Sequence, residues 1–144
     1  MEQFAIMLYR VSHRFRGVWW ITAIINRLTL MLCHCLISPE AVIGQDVKLA
    51  HIGLGIVIGD VTIQDGVKIG QNTTLGIKDG GFPTIGMATI IYPNCVIVGK
   101  IRVGEGSIIG ANTFLDKDVP PKSIVYTERK LVIRKNTINV GEWN

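Results

Sequence analysis

Cysteine is scarce in this chain, and the few present are badly placed for a disulfide framework: Cys33, Cys35 and Cys95 make an odd count without paired spacing. A reducing, cytoplasmic compartment is therefore expected. Charged residues are also few, 18% of 144 against 48% hydrophobic, so the chain either buries an interface or touches a membrane. No apolar run is fit to span a bilayer. Residues 18–36 come close in length, but Asn26 and Arg27 lie near their centre, where an arginine costs roughly 2.5–3.5 kcal/mol. A signal peptide is not expected either, because the charged part extends to Arg16 and no small-residue cleavage site follows. Basic and aromatic residues do not interleave as they do on nucleic-acid-binding surfaces, so no nucleic-acid partner is expected. Cys33, His34 and Cys35 are too close along one helix to share a face and have no second pair elsewhere. They read as buried thiols beside a packed histidine, with no metal.

The length is that of one domain, and the net charge of +4 is uneven. Residues 1–36 carry Arg10, Arg14, Arg16 and Arg27 against Glu2, whereas residues 37–120 hold six basic and eight acidic side chains. Residues 2–16 predict a helix with Phe4, Leu8, Val11 and Phe15 on one stripe. Residues 18–36 predict a second helix, buried against partner subunits or lying in the headgroup region with Trp19 and Trp20 as anchors. Residues 1–36 are thus the candidate segment for peripheral contact at the inner membrane.

From Ile37 the helical period gives way to a period of six. Aliphatic residues recur in three phases: Ile37, Ile43, Leu49; Val57, Ile63, Ile69, Leu75; and Ile85, Ile91, Ile97, Val103, Ile109, Leu115. A small or apolar residue fills the fifth place of each hexad, Cys95 among them. Such a pattern predicts a parallel β-helix of about four coils at three hexads per coil. The predicted class is all-β, with one or two N-terminal helices over residues 1–36, the repeat over 37–120 and a tail over 121–144. The phase slips twice, by a spacing of eight at Leu49 to Val57 and of ten at Leu75 to Ile85. His51 lies in the first slip, and an excursion loop over residues 76–84 fills the second. Local rule-breaking in a regular sequence is where a site is expected.

Several segments carry a resemblance. They are Ile37-Ser38-Pro39-Glu40-Ala41-Val42-Ile43-Gly44, the run from Leu49 through His51 and Gly55 to Gly59, Gln71-Asn72-Thr73-Thr74-Leu75-Gly76, Pro83-Thr84-Ile85-Gly86, Ile109-Gly110-Ala111 and Asp118-Val119-Pro120-Pro121. The chain resembles the left-handed β-helix acyltransferases with hexapeptide repeats, within them the serine O-acetyltransferase branch. That branch also holds enzymes that acetylate capsular or exopolysaccharide sugars. The resemblance implies a homotrimer, an acetyl-CoA cosubstrate lying between neighbouring β-helices, no metal, and a histidine general base in the segment Leu-x-His-x-x-x-Gly, here His51. It further implies Gly76 at the oxyanion loop and Asn72, Thr74 and Phe82 around the acceptor. For acetyl-CoA it implies Tyr92, Pro93, Gly110, Ala111, Asp116 and Lys117, with Arg129 and Lys130 toward a phosphate.

Serine-specific members place aspartates at the positions of Leu36 and Ala50 and a second histidine at that of Phe82. Lacking those polar groups, the site is expected to accept a sugar hydroxyl in surface polysaccharide assembly. Two alternatives stay open, serine as acceptor in cysteine biosynthesis and a non-catalytic trimeric scaffold. A zinc enzyme on the same fold needs histidines at coil spacing, and only His51 lies in the repeat. If the family geometry holds, both slips converge on one cleft.

Overall fold

The computed structural model describes residues 4–128. Two helices, α1 (Phe4–Arg14) and α2 (Trp19–Cys33), precede a parallel β-solenoid. Strands β1 (Leu36–Ile37), β2 (Val42–Ile43) and β3 (Lys48–Leu49) form its first coil. The second coil is β4 (Val57–Ile58), β5 (Thr62–Ile63) and β6 (Lys68–Ile69); the third is β7 (Thr74–Gly76), β8 (Thr84–Ile85) and β9 (Ile90–Ile91). A fourth coil, β10 (Val96–Val98), β11 (Arg102–Val103) and β12 (Ile108–Ile109), is followed by β13 (Phe114–Leu115) and β14 (Ile124–Val125), which open a fifth.

Every third strand stacks, so the solenoid is a prism with three parallel faces, ordered β1-β4-β7-β10-β13, β2-β5-β8-β11 and β3-β6-β9-β12-β14. This is the expected left-handed β-helix architecture of about four turns behind two helices. Register is like on like: Leu49 pairs with Ile69, Ile69 with Ile91, Ile91 with Ile109 and Ile109 with Val125. Short strands two or three residues long are stable here because each backbone group finds a partner in the coil above or below, about 4.8 Å away. Inward aliphatics and the small fifth residues, including Thr73, Thr89, Cys95, Ser107 and Thr113, close the interior. Cys95 is a core thiol, its pKa raised by burial.

Four details differ from the expectation. The second coil turns Ile58 inward, buried to 1%, while Val57 pairs with Leu36 on the outside at 39% exposure. Periodicity could not separate two adjacent aliphatics; with Ile58 inward the corner to Ile63 is one residue shorter than the six-residue spacing of the first coil. In α1 the buried side chains are Ala5, Ile6, Tyr9 and Ser12, and Phe4, Val11 and Phe15 of the predicted stripe are exposed. Tyr9 wins that face because its ring packs in the core while its hydroxyl donates to the Ala41 carbonyl. Cys33 and Cys35 are buried as expected, but His34 is exposed and caps α2 in the left-handed conformation at φ 51°, its N–H donating to the Leu30 carbonyl. The repeat also runs past Pro120 to Val125; the aliphatic run Leu131, Val132 and Ile133, which reads as one last strand in the tail, lies outside the described residues. Among the described residues no helix is long and apolar enough to cross a membrane.

Candidate active site

The first slip builds a protruding turn at the corner between the third and first faces. Strand β3 runs straight into a 3-10 turn, Ala50–Gly53, which closes by the Leu54 N–H donating to the His51 carbonyl at 3.2 Å. His51 itself sits at φ 50°. Histidine is among the side chains that tolerate this region, yet a non-glycine residue held there costs on the order of 1 kcal/mol. Neighbouring structure keeps it in place. Gly55 N–H donates to the His34 carbonyl at 2.9 Å, tying the turn to the end of α2, and the backbone at Gly53 rests on Cys35. Burial and the adjacent Cys33 push the Cys35 thiol up to about 12, so it acts as an inert support and not as a nucleophile. The His51 imidazole is exposed, and among the described residues its ring has no hydrogen-bond partner. It is free to meet a ligand.

Beside it the third face opens into a groove of about 460 Å³ lined by His51, Lys48, Lys68, Gln71, Tyr92 and Pro93, among others. Gly70 permits this shape, since a Cβ there would lie 2.5 Å from the Pro93 nitrogen. Tyr92 and Pro93, placed on the donor side by resemblance, therefore share one cavity with His51. Above the groove an asparagine ladder climbs the same corner: Asn72 Nδ2 donates to Asn94 Oδ1 and Asn94 Nδ2 to Asn112 Oδ1, each at 3.2 Å. Asn72 also donates its N–H to the Leu54 carbonyl at 2.9 Å, which fixes the far side of the His51 turn. Gly110 and the exposed Ala111 sit at the ladder's upper end, and Thr74 starts β7 half-buried beside it. One corner thus holds His51, Asn72, Thr74, Tyr92, Pro93, Gly110 and Ala111.

The second slip emerges elsewhere. Strand β7 begins at the histidine corner and ends in Gly76 at the next corner, where residues 77–83 leave the solenoid. That loop folds back through paired hydrogen bonds between Lys78 and Gly81 at 3.1 Å, seats the Phe82 ring on Gly59 and bonds Lys78 Nζ to Asp116 Oδ2 at 2.6 Å. The Asp116 carboxyl is held below its usual range by that lysine, and the Lys78 ammonium is raised by the same partner. Lys117 is exposed beside them. Within one chain, then, Gly76, Phe82, Asp116 and Lys117 stand across the first face from His51, and the two slips do not share a cleft. Arg129 and Lys130 lie outside the described residues. Sequence reading missed Lys48, Lys68 and Gln71; stacking the hexads three to a coil would have aligned the two lysines, twenty positions apart.

The histidine turn, the groove and the coil count can be set beside known proteins. Residues 82–117 match the family model described as bacterial transferase hexapeptide (six repeats). A serine acetyltransferase of Helicobacter pylori is 31% identical over 139 residues, covering 92% of this chain and 81% of that protein. The chain belongs to the serine acetyltransferase family. Its match to the Bacillus pumilus serine acetyltransferase is 35%, over 84% of the chain and 58% of the relative. Among solved structures, a serine acetyltransferase of Neisseria gonorrhoeae superimposes with a TM-score of 0.82 at 29% identity, over 88% of this chain and 53% of the other. The chain spans about half the length of several curated relatives that it matches.

Proposed function

We propose that this chain is the β-helical part of an acetyl-CoA-dependent O-acetyltransferase in which His51 is the general base. The observation that carries the reading is an unpaired imidazole on a backbone-fixed turn, opening on a groove that continues up one corner of the prism. A neutral imidazole can take a proton from an alcohol at neutral pH. The acceptor oxygen then attacks the thioester carbonyl carbon, the tetrahedral oxyanion collapses, and the departing CoA thiolate takes the proton back from the imidazolium. Gly76 supplies backbone close to the developing oxyanion only if a second protomer brings its loop corner to this histidine corner.

A homotrimer would do so, and exposed apolar side chains on the outer walls support it. Leu36, Val57 and Phe114 stand on the first face, and Ile124 ends the third. Three free, buried cysteines support the reading of a cytoplasmic enzyme. The exposed apolar side of α2, with Trp19 79% and Trp20 54% exposed, supports the peripheral contact expected of residues 1–36.

Serine is the acceptor that the relatives support, and it replaces the sugar as the leading reading. A saccharide hydroxyl is kept as the second reading because Ala50 and Phe82 leave the base without the carboxylate and histidine of serine-specific members. A thiol-release assay with acetyl-CoA decides between them by comparing L-serine with hexoses. His51→Ala should lower transfer by about 10²–10⁴-fold with the circular dichroism unchanged. Full activity in that variant would remove His51 from the reaction.

A further inference from the structure

Lys48 and Lys68 are direct register partners on adjacent strands of the third face, both exposed, and both line the groove beside His51. Like charges directly opposite one another destabilise a ladder. Nothing in the groove offsets them: no aspartate or glutamate lines it, and the one salt bridge among the described residues is Lys78 with Asp116. The nearest acids in sequence, Asp46 and Asp65, belong to the preceding corners of these coils, and Asp65 Oδ1 is already accepting from the Gln45 N–H at 2.7 Å.

The same outward position in the coils above is Ile90, Ile108 and Ile124. An aliphatic column therefore changes to paired lysines only in the two coils that flank the histidine. A costly departure from the local pattern, confined to the neighbourhood of an unpaired imidazole, marks a binding determinant. We infer that Lys48 and Lys68 hold a negative group, a carboxylate or a phosphate, on the acceptor whose hydroxyl His51 deprotonates. Two ammonium groups a strand apart give charge-assisted hydrogen bonds to one anion without fixing its planar geometry, so either group is received. The inference rests on the reading of His51 as the base, and it narrows the acceptor to an anionic alcohol.

The test separates the two ideas by reading binding as well as transfer. Galacturonate, glucose 1-phosphate and L-serine are titrated against the protein by nuclear magnetic resonance beside galactose, glucose and L-serinamide, which lack the anionic group. At least one of the three should bind about tenfold or more tightly than its counterpart without the anionic group, and the preference should fade in high salt. Which one does so distinguishes carboxylate on a sugar, phosphate on a sugar and the amino acid. Lys48→Met and Lys68→Met should each weaken that ligand by roughly 3- to 10-fold, and the double variant should bind it no better than that counterpart. In steady state the acceptor KM should rise while the acetyl-CoA KM and kcat hold. Equal binding with and without the anionic group, an unchanged double variant, or a rise confined to the acetyl-CoA KM would overturn the anion cradle. Full transfer activity in His51→Ala with anion binding intact would overturn only the reading of the reaction.

Discussion

The histidine corner and the loop corner both arise from residues inserted into the same repeat, yet they are fastened by different means. At the histidine corner the insertion is short and is held by backbone: a left-handed His51, glycines at 53 and 55, and hydrogen bonds to His34 and Asn72. At the loop corner the insertion is longer and is held mainly by side chains, the Lys78–Asp116 pair and the Phe82 ring on Gly59. Backbone fastening fixes a side chain to within a rotamer, which suits a base. Side-chain fastening leaves an arm that another protomer can engage. The difference leaves the exposed histidine and the loop at separate corners of the same chain.

The strongest way to break the comparison is an alanine at one glycine of each corner. Gly55→Ala adds a Cβ 2.1 Å from Asn72 Oδ1 at φ 68°, so it should cost about 2 kcal/mol or more and loosen the asparagine ladder. Gly80→Ala, at φ 76° in open space, should cost only about 1 kcal/mol. Equal losses in urea melts would mean that the histidine corner is no more tightly built than the loop. A smaller effect of opposite sign is expected at Thr73, which is fully buried and whose hydroxyl lacks a partner. Thr73→Val matches Val61 and Val67 at the same inward position and should stabilise the fold by about 1 kcal/mol. A lower melting midpoint would show that the hydroxyl is satisfied.

The smallest effect belongs to the Lys78–Asp116 pair, which is exposed and screened by salt. Asp116 is lowered, so its contribution is present above the ordinary carboxylate pKa and is lost as the pH falls through the lowered value. Lys78 is raised, so its contribution is complete below the ordinary lysine pKa and is lost as the pH rises through the raised value. Proteolysis of residues 77–83 should therefore be slowest between about pH 4 and 10, and Lys78→Met should flatten that profile. An identical profile in the variant would leave Phe82 alone as the fastener.

Much of this architecture was legible in the sequence. Hexads at fixed spacing dictate stacked coils, and the small fifth residue dictates a narrow interior, because both follow from a short periodic strand that can bury only one large side chain per turn. His51 was legible as the residue in a broken phase. The face that α1 buries was not, since Tyr9 was decided by a hydroxyl reaching Ala41, a partner 32 residues away. Nor was the choice of Ile58 over Val57, two adjacent aliphatics that periodicity could not separate.

The sequence by itself determined the fold and the coil count, since both depend on local spacing, and its resemblance to a known family singled out His51 as the catalytic candidate. Tertiary structure alone decided which residues meet. Stacking at three strands per coil joins positions about twenty apart, so Lys48 meets Lys68 and His51 opens on Tyr92. The same stacking sends two insertions, one coil apart in sequence, to different corners of the prism.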